Sequence, residues 1–258
     1  MKYSLIVDIG NSEIEMGLFS ASGLVDKFHF PTSQLEYECN KQPLKSFLKK
    51  LNIDAKDVEG GLIFSVVPQV SKLVQILIKN EIDLLIELFN PNKLLKTLKA
   101  NVDNPNEIGQ DLLADIVGAI HEYGTPIVVA DLGTVTKNII IDKNGVFQGV
   151  SFFPGVQLNA KTLTAKTAQL PELDNLKKPN VFFGKNTIDA MASGIYYCHV
   201  EAIKGFMDRT DEYFGYEFKK VITGGLSTLF NEDFISPKYI VNPNLVLKGM
   251  YLIYKNQK

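Results

Sequence analysis

The chain has no tryptophan, two cysteines and three histidines in 258 residues. Cys39 and Cys198 are too few for a disulfide framework, so the sequence reads as that of a reduced, cytoplasmic protein. His29, His121 and His199 have no metal-ligand spacing and read as surface or packing residues. Neither sign of charge is in excess: 27 Lys and Arg face 29 Asp and Glu, a net −2. No basic excess points to nucleic acid, and no basic amphipathic stretch or long apolar run points to a membrane. Asp8 comes too soon after the start for a signal peptide. Pro/Ser-rich linkers and low-complexity tracts are absent. At 45% hydrophobic and 22% charged residues, the profile is globular, with length for one large domain or two of medium size.

What the sequence does hold is a repeated turn. Asp8-Ile9-Gly10-Asn11-Ser12 follows the apolar run Leu5-Ile6-Val7, and Asp131-Leu132-Gly133-Thr134-Val135-Thr136 follows Ile127-Val128-Val129-Ala130. Each puts an acid at the end of a strand, a glycine two residues on, and then a small hydroxyl or amide side chain. One Asp-x-Gly is ordinary turn chemistry. Two copies, each after a buried strand, point to a nucleotide-phosphate site.

The surroundings repeat as well. Glu13 to Phe19 alternates as a strand does, Ser20-Ala21-Ser22-Gly23 is a turn, and Leu24 to Phe30 resumes a strand. In the second half Thr136 to Asp142 is rich in β-branched residues, Lys143-Asn144-Gly145 is a hairpin turn, and Val146 to Phe153 returns. Helical spacing predicts helices over 43–51, 70–78 and from Gly109-Gln110-Asp111 toward His121. Asn186-Thr187 caps a long helix to about Met207, and Asn244 to Tyr254 closes the chain. Gly61 to Val67, Leu84 to Leu88 and Lys220 to Thr223 read as strands. The chain is therefore expected to be α/β, built by duplication into halves of residues 1–115 and 116–258, with a cleft between them.

A phosphate-holding turn needs glycine, so that backbone N–H groups can approach the oxygens, and a carboxylate for magnesium or its waters. Asp8 fits the carboxylate role, and Asn11, Ser12, Thr134 and Thr136 are candidate donors. Asp111 at a helix start is either an ordinary N-terminal helix acid or the group that orients a hydroxyl during phosphoryl transfer. Gly224-Gly225 is either a plain turn or a place where a base or ribose meets the backbone.

In these motifs the chain resembles the type III pantothenate kinases, of the actin and hexokinase superfamily. The resemblance rests on Asp8 to Ser12, Asn104-Pro105 with Gly109-Gln110-Asp111, Asp131 to Thr134, Gly149 through Pro154-Gly155, Gly184 to Thr187, and Thr223-Gly224-Gly225. It implies two ribonuclease-H-like, actin-like ATPase halves. It implies ATP-dependent phosphorylation of pantothenate by a homodimer. Asp8, Gly10, Asn11, Ser12, Glu15 and Thr134 would serve ATP and magnesium, with Asp8 the magnesium ligand. Asp131 would bind a monovalent cation, potassium or ammonium. Asp111 would accept the proton, and Gly109, Gln110, Asp111, Leu112, Thr187 and Val102 would line the acceptor site.

Several positions depart from the family pattern. Leu112 stands in place of an arginine, Val102 of an aromatic residue, Val150 of a glycine, Lys137 of a threonine and Ile139 of an acid. The changes cluster on the acceptor side, and Lys137 reads either as a replacement positive charge or as a solvated strand residue. Three readings follow: a working pantothenate kinase with altered contacts, a non-catalytic regulatory relative, or a kinase of another small hydroxyl substrate.

Overall fold

The computed structural model describes the chain except Asn40, Lys166, Ala168, Gln169, Asp174, Asn175 and Lys258, and except the side chains of Glu38 and Cys39. In chain order the strands and helices are β1 (Tyr3–Ile9), β2 (Glu13–Ser20), β3 (Gly23–Pro31), α1 (Leu35–Cys39), α2 (Pro43–Lys50), β4 (Val58–Ser65), α3 (Pro68–Ile82), β5 (Glu87–Leu88), α4 (Asn92–Leu95) and α5 (Gln110–Tyr123). They continue as β6 (Ile127–Leu132), β7 (Val135–Ile141), β8 (Phe147–Pro154), α6 (Val156–Ala165), α7 (Thr187–Phe214), β9 (Lys219–Thr223), β10 (Tyr239–Val241) and α8 (Leu245–Lys255).

Two five-stranded sheets result, ordered β3-β2-β1-β4-β5 and β10-β9-β6-β7-β8. Read from the third strand of each, the two orders are the same. In both, the first three strands form antiparallel hairpins, and the next two add in parallel beside the first. This shared topology is the structural form of the duplication read from the two acidic turns.

The described residues form two compact units, one of Met1–Thr97, Asn104–Gly118 and Val246–Lys258, the other of Leu98–Asp103 and Ala119–Leu245. In the first, Leu5, Val7 and Ile9 alternate onto one sheet face and pack with Leu44, Phe47, Val74 and Ile78 of α2 and α3. The period of two along β1 meets the helical period of the covering elements. Helix α8 lies against α5 so closely that a side chain on Gly249 would collide with Ala114 O.

In the second unit Val128, Ala130 and Leu132 pack on Ile195, Ile203 and Met207 of α7 and on Phe230. Every residue of β6 is buried, as a strand covered on both faces requires. Among the described residues no helix is long and apolar enough to cross a membrane. Cys198 is an exposed free thiol, and the Cys39 side chain lies outside the described residues.

Candidate active site

The first phosphate turn is closed by its own backbone. Gly10 N–H donates to Glu13 O at 2.9 Å, and a Cβ on Gly10 would stand only 3.2 Å from that oxygen. Thr32, just past the end of β3, ties the turn: its Oγ1 donates to Gly10 O at 2.8 Å and its N–H to Ser12 O at 2.9 Å. Asn11 and Ser12 are exposed at the tip and Asp8 is half-buried behind them. Asp8 sits directly opposite Glu15 in the β1–β2 register, so both carboxylates share a sheet face. Glu15 is held by Lys27, Nζ to Oε1 2.6 Å, which offsets the repulsion between neighbouring acids.

Among the described residues no three His, Cys, Asp or Glu side chains gather where they could hold a metal. Magnesium that arrives on a nucleotide needs no such cage, since it takes one or two carboxylates with phosphate oxygens and water. Asp8 meets that requirement.

The segment before α5 is delivered by a capped turn. Asn104 Oδ1 accepts from Asn106 N–H at 3.1 Å, and its Nδ2 donates to Glu107 Oε1 at 2.9 Å. Gly109 O then accepts from Leu113 N–H at 3.0 Å, starting the helix. Asp111 lies in the first turn of α5, where exposed N–H groups favour a carboxylate, and its Oδ1 accepts from Leu112 N–H at 2.9 Å. A Cβ on Gly109 would come within 2.6 Å of that same Oδ1. Gln110 Oε1 accepts from Ser65 N–H at 3.1 Å, and Ser65 pairs with Ile9 at the end of β1. The side chain of Gln110 therefore ties the helix start to the sheet that carries Asp8. Leu112 is only 6% exposed and has little surface to offer a ligand.

The second turn is wedged by two glycines. A Cβ on Gly155 would collide with Gly133 O and Thr134 O, and Gly155 N–H donates to Thr134 O at 3.1 Å. Gly224, at φ +91°, lies so close that a Cβ would stand 2.5 Å from Asp131 Oδ1 and 2.6 Å from Leu132 N. The Pro154-Gly155 and Gly224-Gly225 motifs thus shape the turn, while Thr134 is exposed at its tip. Thr136 is different. It is fully buried and shares a 2.9 Å hydrogen bond with His199 Nε2, whose ring stacks on Phe230. Burial pushes the His199 pKa down to about 4, so this pair is neutral packing rather than a phosphate donor.

Asp131 is 5% exposed, and a buried lone carboxylate carries a heavy desolvation penalty. Lys137 relieves it. The two residues face each other in the β6–β7 register, and Lys137 Nζ stands 2.5 Å from Asp131 Oδ2, with side chains 14% and 7% exposed. Lys137 is an ion-paired, largely buried residue and not a solvated one. Sequence reasoning missed this pair. Its only signal is the hairpin register, which sets the two residues opposite each other across the turn.

The remaining candidates lie on the second unit. Thr187 is exposed in the first turn of α7. Asn186 caps that helix, its Oδ1 accepting from Asp189 N–H at 2.9 Å, and a side chain on Gly184 would collide with Asp189 and Ala190 backbone. Val102 is half-buried in a segment anchored to β8 by Asn101, which donates to Phe147 O at 2.8 Å. A cavity of about 910 Å³ opens beside Leu226, lined also by Val156, Ala160, Lys161, Thr164 and Leu229. Leu226 N–H donates to Leu132 O at 3.2 Å, so this cavity adjoins the second phosphate turn. The structure thus groups Asp8, Gly10, Asn11, Ser12 and Glu15 on one hairpin and Gly109 to Leu112 at one helix start, and it removes Thr136 from the donors.

The family model described as type III pantothenate kinase matches residues 4–209. A type III pantothenate kinase of Brevibacillus brevis is 32% identical over 256 residues, covering 98% of this chain and 99% of its own. Among solved structures, a candidate 2-dehydro-3-deoxygalactonokinase from Sinorhizobium meliloti superposes with a TM-score of 0.58 at 14% identity, covering 98% and 96% of the two chains. A candidate Baf family transcriptional activator from Campylobacter jejuni gives 0.57 at 19% identity, covering 98% of both. These two likenesses speak to the fold alone: an α/β chain with two five-stranded sheets of matching strand order.

Proposed function

The chain belongs to the type III pantothenate kinase family, and on that premise we propose that it transfers the γ-phosphoryl group of ATP to the primary hydroxyl of pantothenate. The product is 4'-phosphopantothenate, and the reaction opens coenzyme A biosynthesis. The observation that carries the proposal is the Asp111 carboxylate, half-buried in the first turn of α5 above a glycine that leaves it room.

In this reading Gly10, Asn11 and Ser12 present backbone and side-chain donors to the ATP phosphates, and Thr134 serves ATP from the second turn. Asp8, with Glu15 opposite it, would hold magnesium, whose charge would offset that of the phosphate oxygens. The cavity beside Leu226 is the proposed place for the nucleoside. Asp111 orients the attacking hydroxyl and takes its proton late, so it needs no raised pKa: a loose transition state leaves the hydroxyl protonated until transfer is well advanced. Gly109, Thr187 and Val102 are assigned to pantothenate, with Gln110 and Leu112 shaping that site from behind. The mechanism needs no phospho-enzyme.

The resemblance also implies a homodimer and a monovalent cation. Phe182, Phe183 and Ile188 are well exposed on the second unit, and apolar surface of that kind supports a partner copy there. The cation does not fit as simply, because the Asp131 carboxylate already carries the Lys137 ammonium. A small-metabolite kinase of this kind works in the cytoplasm. The test is an ADP-release assay with magnesium, ATP and pantothenate, with the phosphorylated product identified by mass. Release that depends on pantothenate and is lost in Asp111→Asn supports the proposal; equal release without pantothenate refutes it.

A further inference from the structure

The Asp131–Lys137 pair is placed by topology, not by chance side-chain contact. Asp131 closes β6 and Lys137 faces it from β7, with Gly133-Thr134 forming the turn between the two strands. Thr223 of β9 lies across from Asp131 on its other side. The row Lys137–Asp131–Thr223 therefore runs across three adjacent strands on one face. Asp131 Oδ1 is crowded by Gly224, while Oδ2 holds the ammonium. A lysine ammonium has the charge and hydrogen-bonding character of an ammonium ion, but here it is fixed to the strand.

From this arrangement we infer that Lys137 is a built-in monovalent cation. It supplies at the second phosphate turn the positive charge that a dissolved potassium or ammonium ion would otherwise bring. A second monovalent ion at Asp131 would meet a like charge held 2.5 Å from the carboxylate, in a pocket with little water to screen it. The chain should therefore work, and bind nucleotide, without added potassium or ammonium. The inference rests on the proposed kinase reading only for its activity arm.

The experiment compares wild type, Lys137→Thr and Lys137→Arg in tetramethylammonium chloride, with potassium or ammonium chloride substituted at constant ionic strength. Two readouts are taken: turnover of ATP with pantothenate, and the thermal midpoint with magnesium and ADP but no pantothenate. Wild type should change less than twofold in rate and less than 1 °C in midpoint on adding either ion, estimates set by the absence of a competing site. Lys137→Thr should lose about tenfold or more in rate without the ions and recover with them, and its nucleotide-bound midpoint should rise by several degrees. Lys137→Arg keeps the charge and should stay indifferent to the ions. A wild type that gains tenfold from potassium, or a Lys137→Thr protein indifferent to it in both readouts, overturns the inference. Should no variant turn over pantothenate, the thermal arm still decides the matter, and the failure belongs to the kinase reading.

Discussion

Gly109 has no Cβ because one would stand 2.6 Å from Asp111 Oδ1. The glycine thus sets the position of the carboxylate as much as the helix does. Gly109→Ala should push Asp111 off its place and lower kcat by about tenfold or more, since small misplacements of a catalytic group are costly. Its unfolding midpoint should move little. Asp111→Asn should lose nearly all turnover while the MgATP dissociation constant stays within about twofold of wild type, a pattern expected for a group acting on the acceptor. Steady-state kinetics with calorimetric nucleotide titration checks both.

The two glycines after β9 are not equivalent. Gly224 has φ +91° and abuts Asp131 and Leu132, whereas a Cβ on Gly225 would meet nothing within 4 Å. Gly224→Ala should cost about 2 kcal/mol or more through strain and collision. Gly225→Ala should cost less than about 1 kcal/mol. Urea denaturation of both variants measures the difference.

Leu112 stands where the resemblance to the pantothenate kinases leads one to expect an arginine, yet it is buried. Leu112→Arg should therefore destabilise the protein by about 3 kcal/mol or more, the usual cost of a buried charge without a partner. It should not improve the KM for pantothenate. A denaturation midpoint equal to wild type, with a lower KM, would show the side chain reaching the acceptor site instead.

His199 gives the protein an acid-sensitive element. Burial holds its pKa at about 4 in the folded chain, against roughly 6.5 when unfolded. Between these values the unfolded chain binds a proton that the folded chain refuses. Stability from this source is complete above pH 6.5, falls as pH drops through that window, and is about 2 kcal/mol lower at pH 5. His199→Gln should remove that part of the pH dependence, read as the change in urea midpoint between pH 7.5 and pH 5.

The hairpins were the most legible part of the fold. Alternation along β2 and β7 and the turn at Gly145, with φ +73° and Asp142 Oδ1 accepting from Asn144 N–H at 2.8 Å, are written in local sequence. Helix α6 was not, because only Val156 and Ala160 are buried on it. Strand β10 is three half-buried residues, too short for a period to show. Helix α7 runs past Met207 to Phe214 because its charged last turns are met from elsewhere: Lys220 Nζ reaches Asp208 at 2.6 Å and Asp211 at 2.7 Å. In the site, the acid-glycine turns and Asp111 could be found by motif. The Asp131–Lys137 pair, the burial of Leu112 and the Thr136–His199 bond could not, since each depends on strand register or on packing from a distant helix.

Phosphoryl transfer to pantothenate is measured most directly as product formation, by mass spectrometry with magnesium and ATP. Wild type should form 4'-phosphopantothenate and ADP in equal amounts, and Asp111→Asn neither. Wild-type protein that binds MgATP yet forms no phosphorylated pantothenate would contradict it.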